Sequence, residues 1–259
     1  MQNIGTSHQI IKDIKHNNYT KQGYYVIDDL FILSLDKCKQ SNVLLCILCP
    51  EEIISVDAQK IAEYYQNNYP TYTVSKKTYD TIASKQNCAG ILVITQIKDS
   101  LPTLNPNHTI IVCDGLENSG NIGTIFRTAD ASNVDLIIFT NIKAKINDIK
   151  TIRASRGTIF TTPFIILDDI NDAISFLNKN NSQIVICEPE QGTNYHQFNY
   201  VGNIALIVGS ERYGVNPEWF QLPNNKYIKI PMKSNVGSLN VGVATSIITY
   251  QAQISKNKI

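Results

Sequence analysis

The stretch HTIIVCDGLENSGNIGTIFRTADAS, residues 108–132, contains an apolar run, a polar loop with glycines and a segment of helical periodicity. The apolar run predicts a buried strand, and the loop leads directly into a predicted helix. The alternation continues through VDLIIFT, DDINDAISFLNKN, SQIVICEP and NIALIVGSE to a closing helix in SLNVGVATSIITYQAQISK. Alternating strands and helices predict an α/β fold with a mainly parallel sheet and helices on both faces.

An earlier stretch, residues 24–96, has its own alternation of strands and helices, including a helix predicted over 76–86. Between the two parts lies KDSLPTLNPNHT, whose prolines and turn-forming residues predict a linker. We therefore expect a first α/β domain at 1–98, a linker at 99–108 and a second domain at 109–259. The first 20 residues are polar, and we expect them to be frayed.

The composition is that of a globular chain with nearly balanced charge. It has 259 residues, 43% of them hydrophobic, and a formal net charge of +1. The charge balance by itself argues against a nucleic-acid partner. Only four basic residues are arginine, and all lie between positions 127 and 212: Arg127, Arg153, Arg156 and Arg212. Because arginine makes planar, bidentate contacts that lysine cannot replace, this clustering points to a site.

Targeting and metal motifs are not visible in the sequence. No apolar run reaches membrane-spanning length and the first residues lack the apolar part of a secretory signal, so we expect a cytoplasmic protein with reduced thiols. Cys46 and Cys49 form a C-x-x-C, but their apolar surroundings favour inert core thiols. No second pair of ligands stands at zinc spacing, so no metal is expected. His196 is a possible base, although its polar loop favours a surface position.

Three loops that follow predicted strands carry small polar residues. Asn121 and Arg127 follow the first, a Gly-Ser-Glu run begins at Gly209, and Ser238 and Asn240 follow the third. Ligands of parallel sheets bind at the carboxyl ends of strands, where these loops lie. Each residue also has a purely structural interpretation. The asparagines or Ser238 could cap helices, Arg127 could form a salt bridge, and the second loop could be an ordinary turn.

Taken in order, the three motifs resemble the signature of the SpoU–TrmH branch of the SPOUT RNA methyltransferases. They are Asn121-Ile122-Gly123…Arg127-Thr128-Ala129, Gly209-Ser210-Glu211…Gly214 and Ile230-Pro231-Met232…Ser238-Leu239-Asn240-Val241. The segment IRASRGTIFTTPFIIL, residues 152–167, resembles the thiostrepton- and nosiheptide-resistance members, which methylate the ribose of an adenosine in large-subunit ribosomal RNA. The resemblance implies a trefoil-knotted parallel sheet in the second domain and an L30e-like, RNA-binding first domain.

The resemblance further implies S-adenosylmethionine as cofactor, a ribose 2′-hydroxyl of RNA as substrate, and a homodimer whose active sites are completed across the interface. The implied catalytic residues are Arg127, Asn121, Glu211, Ser238 and Asn240. The implied cofactor residues are Cys187, Glu188, Val208, Gly209, Ser210, Glu211, Ile230, Pro231, Met232, Ser238, Leu239 and Asn240, and the stretch 186–189 lines the same pocket. RNA contacts are expected from Arg127 and from a basic strip of Lys143, Lys145, Lys150, Arg153 and Arg156, which could instead be a solvated helix face.

Ribosomal RNA is the expected substrate, and antibiotic resistance is one role open to such an enzyme. Transfer RNA is the first alternative. The two-domain layout disfavours it, as does Leu-Glu-Asn-Ser-Gly at 116–120, where many relatives have Asp-Pro. A catalytically silent RNA-binding or ribosome-assembly protein is the second alternative, against which Arg127 and the intact Ser-Leu-Asn argue. A nucleotide-dependent oxidoreductase is disfavoured, since the sequence lacks G-x-G-x-x-G.

Overall fold

The computed structural model describes residues 1–84, 88–97, 101–188, 190–233 and 237–259. The chain divides into two compact units: Met1–Lys98 with Asn147–Phe160, and Asp99–Ile146 with Thr161–Ile259. Residues 147–160 therefore belong to the first unit, although the sequence placed them in the domain at 109–259. The side-chain amide of Asn147 explains part of this difference, because it donates hydrogen bonds to the backbone carbonyls of Thr20 at 2.8 Å and Tyr24 at 2.9 Å.

The described part of the first unit contains one mixed sheet. Its strands are β1 (Gln2–Asn3), β2 (Tyr25–Asp29), β3 (Asn42–Leu48), β4 (Thr71–Thr73) and β5 (Cys88–Gln96), in the order β1-β4-β3-β5-β2. β4 runs parallel to β1 and β3, and β5 runs antiparallel to β3 and β2. Cys46 and Cys49 are buried at this sheet, and burial raises the pKa of both thiols, as expected of inert core cysteines.

The helices of the first unit include two departures from the sequence prediction. They are α1 (Gln9–Lys15), α2 (Asn18–Lys21), α3 (Leu30–Ser34), α4 (Asp36–Lys39), α5 (Val56–Asn68), α6 (Lys76–Tyr79) and α8 (Ile149–Ser155). The expectation that residues 1–20 are frayed is wrong, because α1 buries Ile11 and Ile14 in the core. The helix predicted over 76–86 ends at Tyr79, and residues 85 and 86 lie outside the described residues.

The described part of the second unit is built on a parallel sheet. Its strands are β6 (Thr109–Asp114), β7 (Leu136–Thr140), β8 (Phe164–Leu167), β9 (Gln183–Cys187), β10 (Thr193–Asn194), β11 (Ile204–Val208) and β12 (Lys226–Lys229). Their order is β10-β12-β9-β11-β6-β7-β8, and every neighbouring pair is parallel. The β9, β11 and β12 strands lie side by side, so their carboxyl ends meet at one edge.

Helices cover both faces of this sheet, as the alternation predicted. They are α7 (Ser119–Ala131), α9 (Ile170–Lys179) and α10 (Val241–Ser255). Alternate residues of a strand face opposite sides, so Ile184 and Ile186 of β9 pack with α9, whereas Val185 packs in the cluster that includes α10. Residues 234–236 lie outside the described residues, and the trefoil knot implied for the segment between β12 and α10 stays a prediction.

Among the described residues, no helix is both long enough and apolar enough to span a membrane.

Candidate active site

A cleft of about 480 Å³ lies at the carboxyl ends of β9, β11 and β12, next to the start of α10. It is lined by Cys187, Glu188, Val208, Gly209, Ser210, Glu211, Arg212, Gly214, Val215, Ile228, Lys229, Ile230, Met232, Gly237, Ser238, Leu239, Asn240, Val241, Ala244 and Ile248. Every residue predicted to bind the cofactor lines this cleft except Pro231. Of the stretch 186–189, Ile186 is buried in the sheet core instead, and Pro189 lies outside the described residues.

The loop after β11 is a closed turn. The backbone of Ser210 donates to the Gly214 carbonyl at 2.8 Å and accepts from the Gly214 N–H at 3.0 Å, and the Ser210 hydroxyl accepts from the Tyr213 N–H at 2.9 Å. A Cβ on Gly209 would lie 2.1 Å from the carbonyl carbon of Gly214. The glycine at position 209 is therefore required by the close approach of its own loop.

Three polar side chains from the three motifs form one hydrogen-bonded chain. The Asn121 amide donates to Glu211 Oε1 at 2.7 Å, and the Asn240 amide donates to Asn121 Oδ1 at 3.0 Å. Asn240 Oδ1 also accepts from the backbone N–H groups of Gly242 and Val243, which makes it the N-cap of α10. The corresponding cap of α7 is Asn118, so Asn121 is not a cap. Its amide nitrogen and its Oδ1 both take part in the hydrogen-bonded chain.

The Glu211 carboxylate is stabilised in its charged form. Burial by itself would raise the pKa of Glu211, but the hydrogen bonds from the Asn121 amide and from the backbone N–H groups of Glu117 and Asn118 lower it below its ordinary value. A carboxylate held by three donors is a weak base. Its geometry suits holding Asn121 in place better than accepting a proton.

The SpoU rRNA methylase family profile matches residues 108–250. The chain belongs to this family. The matched region contains the cleft residues and α7, and it extends through most of α10.

The comparisons with individual proteins agree with this family. A Staphylococcus saprophyticus protein assigned to the TrmH family of tRNA/rRNA methyltransferases is 34% identical over 154 residues, 58% of this chain. The match spans 60% of that relative's length. The SpoU methyltransferase AviRb from Streptomyces viridochromogenes, solved in complex with AdoMet, has the same fold, with a TM-score of 0.85 at 19% identity over 96% of this chain and 98% of its own. An AdoMet-bound rRNA methyltransferase from Sinorhizobium meliloti gives 0.82 at 21% identity over 98% and 97%.

Arg127, the arginine of the first family motif, does not line the cleft of its own chain. It is exposed on α7 and makes no ion pair with any residue in the described ranges, so the alternative of a structural salt bridge finds no support there. α7 packs on α10, where the hydroxyls of Thr128, the residue after Arg127, and Ser246 are 2.7 Å apart. Arg127 is therefore an accessible guanidinium beside the α7–α10 pair.

The residues of the predicted basic strip are divided between the two units. Lys143 and Lys145 belong to the second unit, and Lys143 forms an ion pair with Glu117 at 2.8 Å. In the first unit, Arg153 is bound to the buried Asp28 at 3.1 Å and to the Ser84 hydroxyl, so its guanidinium stabilises that unit. Lys150 and Arg156 also belong to the first unit, and Arg156 lies 4.4 Å from the ring centroid of Phe31.

Several cleft residues were not among the predicted cofactor residues. Val241, Ala244 and Ile248 line the cleft from α10, and their spacing of three and four residues is the helical periodicity that could have identified them. Arg212, one of the four clustered arginines, also lines it, as do Val215 and Lys229, which no sequence pattern marks. His196 is exposed and does not line the cleft. The described residues contain no cluster of side chains suited to a metal ion.

Proposed function

We propose that this chain is an S-adenosylmethionine-dependent methyltransferase that methylates a ribose 2′-hydroxyl of RNA. The observation that carries the proposal is that the second and third family motifs line one cleft, while Asn121 of the first motif is tied to both through the Glu211–Asn121–Asn240 chain. Membership of the SpoU rRNA methylase family and the fold shared with two AdoMet-bound methyltransferases support it. The cytoplasm, where such RNA is made, is the proposed location.

The cleft suits S-adenosylmethionine in size and chemistry. Its volume of about 480 Å³ lies within the range of roughly 300–1,000 Å³ typical of small-molecule sites. Ile230, Leu239 and Ile248 offer an apolar slot for adenine, and the turn at 209–214 brings backbone groups to the wall. The Glu188 carboxylate, whose pKa is raised by burial and by Glu190, suits hydroxyl groups of a ribose.

When bound, S-adenosylmethionine supplies a methyl group on a positively charged sulfur. Transfer to an alcohol is an in-line displacement, so the main task of the chain is positioning. Asn121, Glu211 and Asn240 hold one another and so fix the relation between the first-motif helix and the cleft. Ser238, exposed at the cleft rim, is free to contact substrate or cofactor. The ribose hydroxyl must lose its proton to water as its oxygen takes the methyl group, and we assign stabilisation of the negative charge on that oxygen to Arg127, since a guanidinium stabilises an oxyanion but hardly deprotonates.

The position of Arg127 favours a homodimer with shared active sites. Arg127 does not line the cleft of its own chain, yet it lies on α7, against which α10 packs. α10 leaves Val243, Tyr250 and Ile254 exposed, which is apolar surface that a second copy could cover. In such a dimer the Arg127 of one protomer acts at the cleft of the other.

Ribosomal RNA is the substrate that we favour, with an adenosine of the large subunit as the target that the 152–167 segment suggests. The fold shared with the Sinorhizobium rRNA methyltransferase spans both units of the chain. We assign RNA binding to the first unit, where the Arg156 guanidinium and the exposed Phe31 ring offer a surface for phosphates and bases. The resistance role would follow if the target nucleotide lies in a thiopeptide-antibiotic site.

The test is methyl transfer to total bacterial RNA with radiolabelled S-adenosylmethionine, preceded by calorimetric titration of the cofactor. We expect cofactor binding and label in large-subunit RNA. The label should appear in alkali-resistant dinucleotides, because alkaline cleavage needs the free 2′-hydroxyl that this methylation removes. Failure of cofactor binding would overturn the enzyme proposal. Label in transfer RNA would establish the first alternative, and cofactor and RNA binding without transfer would establish the second.

A further inference from the structure

A second, smaller hollow lies beside the cleft, on the other side of the 209–214 turn. It has a volume of about 220 Å³, and the cleft and this hollow share Ser210, Gly214 and Val215 as wall residues. Its remaining walls are Asp114, Gly115, Asn141, Lys143, Tyr213, Asn216 and Pro217. The family motifs do not account for this hollow, because its aromatic and basic side chains belong to no motif position.

Tyr213 is the prominent side chain of the hollow. Tyr213 is 67% exposed, although covering a large aromatic ring is energetically favourable. The backbone that carries the ring is fixed by hydrogen bonds. The Tyr213 N–H donates to the Ser210 hydroxyl, and the backbones of Ser210 and Gly214 are hydrogen-bonded to each other. The turn that shapes the cofactor cleft thus also presents an uncovered aromatic ring.

Two cations lie next to this ring. Lys143 Nζ is 5.0 Å and Arg212 Cζ is 5.2 Å from the ring centroid. Lys143 is also bound to Glu117, whose backbone N–H donates to Glu211 in the polar chain of the cleft. Arg212 itself lines the cleft. The aromatic ring and both cations are therefore connected to the active site by short, specific contacts.

The combination of an uncovered ring and adjacent cations matches a nucleotide of single-stranded RNA. Bases that are splayed out of a strand stack on aromatic side chains and on guanidinium planes, and the phosphates beside them are neutralised by lysine and arginine. Asn141 and Asn216 add polar groups to the wall. The near-neutral net charge of the chain makes such a local arrangement necessary, because no bulk field draws the RNA in.

We propose that Tyr213, with Arg212 and Lys143, is a platform on which a base next to the target nucleotide stacks, so that the RNA is held in register with the cofactor cleft. The proposal rests on the proposed function and adds to it a positioning site for a flanking nucleotide. The stacked base is recognised by its flat face, and its phosphate by the two cations.

The test measures RNA affinity without requiring turnover. The full chain is saturated with S-adenosylhomocysteine, and the anisotropy of a fluorescent, mixed-sequence 20-nucleotide single-stranded RNA is followed at two salt concentrations. Tyr213→Leu removes the ring and Tyr213→Phe keeps it. Lys179→Ala serves as the matched control for a lost charge, since Lys179 is exposed at the end of α9, at the amino edge of the sheet.

We expect Tyr213→Leu to raise the Kd for RNA about tenfold and Tyr213→Phe to leave it within about twofold. Lys143→Ala should weaken binding and lower the slope of log Kd against log salt by about one. The Kd for S-adenosylmethionine, measured by calorimetry, should stay unchanged in Tyr213→Leu, which shows that the turn is intact. Equal RNA affinity of Tyr213→Leu and the unaltered chain would overturn the platform alone. Absence of S-adenosylmethionine binding by the unaltered chain would instead overturn the proposed function.

Discussion

At the scale of single residues, the site contains two kinds of side chain: those hydrogen-bonded to one another and one that remains available to bind substrate. Three residues predicted as catalytic are brought together: Asn121, Glu211 and Asn240. Most of their hydrogen-bonding groups are already used in bonds to one another and to the backbone. Arg127 is exposed and has no ionic partner among the described residues. These contacts favour orienting roles for the first three and direct action on the substrate for Arg127.

Arg127→Ala is therefore expected to lower the rate of methyl transfer at least about 100-fold, the usual loss when a group that stabilises a developing oxyanion is removed. The Kd for S-adenosylmethionine should change less than about twofold, since Arg127 does not line its own cleft. Single-turnover transfer to RNA and calorimetry measure the two quantities, with Lys179→Ala as control. Full turnover in Arg127→Ala would remove this residue from the mechanism.

At the scale of elements, small residues allow the two site helices to approach each other closely. A Cβ on Gly242 of α10 would lie 3.2 Å from the Thr124 methyl carbon of α7, and Ser246 contacts Thr128 one turn further on. The small residues of the closing helix thus permit close packing, and within the chain α7 is the helix that packs against them. Asn240 is the N-cap of the same helix and is also a member of the polar chain of the cleft.

The tight turn after β11 gives a second prediction. Gly209→Ala would place its methyl group 2.1 Å from the Gly214 carbonyl carbon, so the turn must open. We expect a loss of about 1–3 kcal/mol in the free energy of unfolding, and a fall in S-adenosylmethionine affinity because the turn forms the cleft wall. Gly5→Ala is the control, since a Cβ there meets nothing within 4 Å. Denaturant unfolding and calorimetry would contradict this account if Gly209→Ala matched Gly5→Ala in both.

At the scale of the whole molecule, two features lie outside any single site: the uncovered face of α10 and the buried Lys256. The first concerns assembly. We expect light scattering to give twice the chain mass, and Ile254→Glu, which charges the exposed face of α10, to give the monomer with methyl transfer reduced at least about tenfold. S-adenosylmethionine binding should persist in that monomer. A monomeric unaltered chain with full activity would exclude the shared active site.

Lys256 makes the stability of the fold depend on pH. Its Nζ donates to the His108 carbonyl at 2.7 Å and to the Thr109 hydroxyl at 2.8 Å, and burial together with nearby Lys258 lowers its pKa to about 7, while Asp135 opposes the shift. The unfolded chain binds this proton below about pH 10, whereas the folded chain binds it only below about pH 7. Lys256 therefore costs stability progressively as the pH falls from 10 to 7, and the cost stays constant below 7.

Replacing Lys256 with an uncharged residue should remove this pH dependence. Relative to the unaltered chain, the free energy of unfolding of Lys256→Met should rise by about 2–4 kcal/mol between pH 10 and pH 7. The loss of its two hydrogen bonds lowers the free energy of unfolding by the same amount at both pH values. Urea unfolding at several pH values gives the difference, and a difference that is independent of pH would show that Lys256 titrates normally.

The sequence by itself determined the parallel α/β alternation, the three motifs and eleven of the 20 residues that line the cleft. Hydrophobic periodicity is a local property, and loops after parallel strands must meet at one edge of the sheet. The tertiary structure alone decided that Asn121 binds Glu211, 90 residues away, and Asn240, 119 residues away. It also left Arg127 outside these hydrogen bonds. It also divided the basic strip, because Arg153 finds its partner in Asp28, 125 residues earlier. Such pairings depend on which strands become neighbours, and no local pattern of residues encodes that order.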